Sequence, residues 1–126
     1  MFDDPGAKAI RAAIESGRVA IVSSDGCLGE LRRVLAYPEF DLSPARQATA
    51  FEWYESRVER RQDPPSQVLL PRCRDADDQK FLDLAWAANA AHLVTKDRAL
   101  LVLARRIAKL GRFLVSSPTE VDWERE

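Results

Sequence analysis

Three acidic positions matter because of where they fall relative to two short β-branched runs. Glu30 lies on the stretch that follows Arg18–Ser23 (RVAIVS), and Asp97 follows Leu93-Val94-Thr95 by two residues. Asp75, Asp77 and Asp78 stand where a proline-bearing connector meets a helical stretch. In parallel sheets ligands collect beyond the carboxyl ends of the strands, so these carboxylates are expected to converge. Bare carboxylates brought together repel and raise one another's pKa. A hard divalent cation resolves that conflict: Mg²⁺ or Mn²⁺ favours oxygen ligands, keeps several waters, and can activate one of them against a phosphate.

Each acid also has a structural role open to it. An acid in a first helical turn complements the helix dipole, which suits Asp77 or Asp78. Asp97 could cap the helix that starts at Arg98, and Glu30 could pair with Arg33 on a solvated face. The combination of Glu30, Asp78 and Asp97 at strand ends is what favours a functional reading. Arg72, Arg74, Lys96 and Arg98 flank these acids and could steer a phosphodiester toward a metal. Arg105, Arg106 and Lys109 read as helix C-terminal charges instead.

Other chemistries have less support. The single histidine, His92, opens a strand without a nearby nucleophile, and there is no glycine-rich phosphate loop. Cys27 and Cys73, with one histidine, cannot make a zinc site and read as small core residues. Trp53 and Tyr54 read as packing or interface residues.

The elements that position these groups follow from period and punctuation. A helix is expected over Pro5–Ser16, stopped by Gly17, and a buried strand over Arg18–Ser23. Ser24 or Asp25 caps the next helix, which carries Leu28, Leu31, Val34 and Leu35 and ends before Pro38. Ser43-Pro44 starts a long helix to about Arg60, burying Ala48, Phe51 and Val58. Gln62–Pro71 is a connector. A helix from near Asp77 turns Phe81, Leu82, Ala85 and Ala88 inward. His92–Thr95 is a second strand, Arg98–Leu110 a helix ending at Gly111, and Phe113–Ser116 a third strand. Strands separated by helices give an α/β layer fold with a parallel sheet. Three strands are few for about five helices, and opening on a helix suggests a strand ahead of Met1.

The chain has 126 residues, 19 Lys+Arg against 20 Asp+Glu, a net charge of −1 and 46% hydrophobic residues. That suits one domain, 1–118, with a polar tail over 119–126. Near-neutral charge excludes an overall polybasic nucleic-acid binder but leaves room for a local basic patch. No apolar run nears the roughly 18 residues of a membrane span, and Met1–Gly17 is unlike a secretion signal. Two isolated cysteines fit a reducing interior, so a cytoplasmic location is expected.

Gly29-Glu30-Leu31-Arg32-Arg33-Val34-Leu35, Cys73-Arg74-Asp75-Ala76-Asp77-Asp78 with Phe81-Leu82-Asp83-Leu84-Ala85, and Leu93-Val94-Thr95-Lys96-Asp97 resemble the PIN domain. The likeness is strongest to the group assigned as toxins of bacterial toxin–antitoxin pairs, and runs in order from about Phe2 to Pro118. It implies a three-layer fold with a five-stranded parallel sheet and a Mg²⁺- or Mn²⁺-dependent endoribonuclease. It also implies an RNA substrate, a cognate antitoxin and a homodimer. By position, Glu30, Asp78 and Asp97 match the second, third and fourth acids of the family. Asp75 matches a further acid, and Thr95 a hydroxyl residue beside the last one. Glu30, Asp75, Asp78 and Asp97 are thus the metal-ligand set that the resemblance implies. The family's first central strand, which carries its first acid, has no counterpart here. Two outcomes are therefore expected: the strands Val19–Val22 and Leu93–Thr95 pair directly, or a second chain fills the gap by swapping. The alternative to an enzyme is a non-catalytic module that binds an antitoxin or its own copy. A response-regulator-like pocket ranks behind both, since its phosphoacceptor and later lysine cannot both be placed.

Overall fold

The computed structural model describes residues 5–118, 120 and 121, with side chains from Lys8 onward. The expected tail over 119–126 therefore lies almost wholly outside the described residues. Helix α1 spans Pro5–Glu15 and gives way at Gly17, whose φ of +80° is the left-handed conformation that glycine adopts without a Cβ clash. Strand β1, Ile21–Ser24, runs directly into α2, Asp25–Leu35. Ser24 makes that junction: its hydroxyl accepts the Cys27 N–H, and the residue is only 1% exposed. The start of α2 is also tied from outside, by Gly26 N–H donating to Asp63 and by an Arg60–Asp25 ion pair of 3.1 Å.

Ser43 caps α3, Pro44–Glu55, with proline in the first turn as expected. The helix stops at Glu55, short of Arg60, and Val58–Arg61 forms a strand, β2, parallel to β1 in register Ile21↔Val58 to Ser24↔Arg61. Helical spacing was the wrong reading of Val58-Glu59-Arg60-Arg61. The segment holds one apolar residue and three charges, so it carries no strand alternation, and pairing with β1 overrides its local preference. Phe51 is buried, but Ala48 faces solvent and Val58 belongs to the strand.

After the connector come a single 3₁₀ turn at Ala76–Asp78 and helix α4, Gln79–Ala87. Leu82 and Ala85 are buried as expected; Phe81 and Ala88 are only partly so. Buried Asp83 is satisfied by accepting the Gln67 N–H at 2.9 Å, which pins the connector to α4. Strand β3, His92–Val94, pairs in parallel with β4, Leu114–Ser116. The helix expected over Arg98–Leu110 is two short ones, α5 (Arg98–Leu101) and α6 (Ala104–Ala108), with Gly111 at φ +72° beyond.

The fold is α/β with parallel strands, as expected, but the described residues hold four strands rather than three. They form two separate two-stranded sheets, β1–β2 and β3–β4. Direct pairing of β1 with β3 is thus overturned. β2 takes one edge of β1 and β4 takes one edge of β3, each delivered by the helices between, so each crossover closes its own pair. The larger core cluster joins α4, α5, α6 and β4 through Leu82, Leu100, Leu103, Ile107, Phe113 and Val115. A smaller one, Leu28, Leu35 and Phe51, joins α2 to α3. None of the described helices is long and apolar enough to cross a membrane.

Candidate active site

The carboxyl ends of β1 and β3, the start of α2 and the turn before α4 bring the expected acids into one electrostatic neighbourhood. Asp78 is its centre. It is 9% exposed, and although it stands at the N-cap position of α4 its carboxyl caps no backbone N–H. Burial first, then hydrogen bonding with the Asp97 carboxyl and the charges of Asp97, Asp75 and Glu30, push the Asp78 pKa from 3.8 up to about 6. Two carboxyl groups in such contact must share a proton or acquire a cation.

The other acids combine a place in this neighbourhood with structural work. Asp97 Oδ1 accepts the Ala99 N–H at 2.9 Å and so caps α5, while its own N–H donates to Thr95 Oγ1 at 3.0 Å. Thr95 N–H in turn donates to Ser116 C=O at 2.9 Å, so the loop bearing Asp97 is anchored to β4. Asp75 accepts the Asp77 N–H at 3.0 Å and shapes the 3₁₀ turn that presents Asp78. Glu30, 17% exposed at its side chain, is ion-paired with Arg33 and, across to α4, with Lys80 Nζ at 3.4 Å.

Among the described residues no three His, Cys, Asp or Glu side chains lie close enough together to hold a metal ion in this conformation. The donor chemistry nevertheless fits a hard cation: Asp78 and Asp97 offer two adjoining carboxyl groups, and Mg²⁺ is commonly held by one or two carboxylates with waters completing its shell. The expected four-acid set therefore divides into a contacting pair, Asp78–Asp97, and two outlying acids, Glu30 and Asp75.

Arg72, Arg74, Lys96 and Arg98 are all exposed, and Arg72 donates to Ser66 Oγ at 2.8 Å. Cys27 and Cys73 are buried, and burial holds both thiols above their usual pKa, which makes them core residues rather than nucleophiles. Sequence reasoning missed Lys80. A cation in the first turn of a helix opposes the helix dipole, and that placement, two residues after Asp78, was the available signal.

An α/β domain of parallel strands with a carboxyl pair at a strand end is the class these features define. The PIN domain family matches residues 1–99, and the chain belongs to that family. This is a nuclease-like fold whose members generally depend on divalent metal ions. No curated protein and no solved structure matches the chain.

Proposed function

We propose that this chain is a PIN-type endoribonuclease dependent on Mg²⁺ or Mn²⁺, and the toxin of a toxin–antitoxin pair. The observation that carries the reading is Asp78: a buried carboxyl spent on no cap, held against a second carboxyl, in a chain of a nuclease-like family. When bound, the divalent ion supplies an activated water and neutralises charge on the phosphate. Asp78 and Asp97 would hold it, with Glu30 joining them and Asp75 adding negative field. Thr95 fixes the Asp97 loop. The raised Asp78 pKa means that a proton would compete with the cation at mildly acid pH. Arg72, Arg74, Lys96 and Arg98 draw the RNA backbone toward the acids.

The partners proposed with this reading are RNA, a cognate antitoxin and a second copy of the chain in the cytoplasm. Among the described residues one edge of β1 and one of β3 carry no strand, which supports self-association by an exchanged strand. A second reading, a non-catalytic module, is favoured by one observation: Glu30 is already neutralised by side-chain cations.

Incubation with structured RNA and Mn²⁺ tests the choice, with EDTA and Asp97→Asn as parallel controls. Asparagine retains an oxygen to cap α5, so the fold is preserved while the charge is lost. Cleavage abolished in both controls supports the enzyme. Cleavage absent, or unaltered by Asp97→Asn, leaves the binding module as the reading.

A further inference from the structure

We infer that Lys80 is the resident counter-cation of this site: its ammonium holds the Glu30 carboxylate and has to be displaced from it before Glu30 can join a divalent ion. The inference rests on the metal-site reading above and concerns the order in which charges enter that site.

Lys80 Nζ lies 3.4 Å from Glu30 Oε2, bridging from the first turn of α4 to α2, with side chains 29% and 17% exposed. Arg33 reaches the same oxygen from within α2 but is 66% exposed, so water and salt weaken its hold far more. The first turn of a helix disfavours a cation, so Lys80 gains nothing there from α4 itself. Glu30 and the face of Phe81, with Nζ 5.8 Å from the ring centroid, are what its ammonium faces. Glu30 is thus already paired with a partly buried ammonium, and a divalent ion that recruits it competes with Lys80.

Lys80→Met removes the charge and keeps the stem over Phe81. Mn²⁺ affinity, read from the free-ion EPR signal or by calorimetry on the full chain, is expected to rise on the order of threefold to tenfold. The gain should shrink when Glu30 is already Gln, because the two residues then have no interaction to lose. Melting in EDTA checks folding, and Lys80→Gln carries the test if the methionine variant does not fold. Wild-type binding that Lys80→Met leaves unchanged or weakens overturns the role of Lys80 and leaves the metal site standing. An equal gain in both Glu30 backgrounds also overturns it, because Lys80 would then act as a remote charge. Absence of saturable binding in every variant overturns the metal-site reading, and the Lys80 inference with it.

Discussion

Replacing Asp78 by asparagine isolates the cost of holding this acid in place. In the folded chain its pKa is about 6, against 3.8 as the ordinary value. A group whose pKa is raised by folding stabilises the fold fully below the unfolded value, and that contribution is lost as pH rises through the folded one. The window is therefore about pH 4 to 6, with stability falling as pH rises. At 1.36 kcal/mol per unit, the ionised carboxylate costs the metal-free fold up to about 3 kcal/mol above pH 7. Asparagine resembles the protonated acid: neutral, of the same shape, and able to donate to Asp97. Asp78→Asn should match the wild type near pH 4 and exceed it at pH 8, by up to roughly 10 °C in Tm for a chain of this size. Thermal or urea unfolding in EDTA across pH 4–8 reads the difference directly. A variant less stable than wild type at pH 8, or one with the same slope between pH 4 and 7, would refute the electrostatic account of the pair. The stabilised variant should also lose Mn²⁺ binding, the expected trade between a strained site and its function.

Three further outcomes follow from the packing and the charges. Ser24→Ala leaves the start of α2 without its cap in a buried setting and should cost about 1–2 kcal/mol by urea unfolding. Leu82→Ala empties a fully buried position in the larger core and should cost about 2–5 kcal/mol in the same assay. Mn²⁺ should raise the Tm of the wild type at pH 7.5 and do so less at pH 5, where the Asp78 proton competes with the ion. Scanning fluorimetry at the two pH values checks this.

The local punctuation of the fold was legible in the sequence, because a cap or a left-handed glycine depends on one or two residues. Ser24, Ser43, Gly17 and Gly111 all do what their types suggest. Strand β2 was not legible: its charged residues have no apolar partner to alternate with, and only the edge of β1 makes them a strand. The division into two sheets was hidden for the same reason, since pairing is settled by tertiary neighbours. At the site, strand-end logic brought Asp78 and Asp97 together. The cap made by Asp97 and the Glu30–Arg33 pair were legible too, since both are local, whereas the Asp75 turn and the Glu30–Lys80 pair between helices were not. The proposed function and local structure draw on the same carboxylates. Of these four acids Asp78, buried and capping nothing, has no such local role.

A crystal of the wild-type chain soaked in Mn²⁺ at pH 7.5 and measured at the manganese absorption edge tests the central claim most directly. An anomalous peak in inner-sphere contact with both Asp78 and Asp97 is the predicted result. No peak beside the pair at saturating Mn²⁺ would contradict the account.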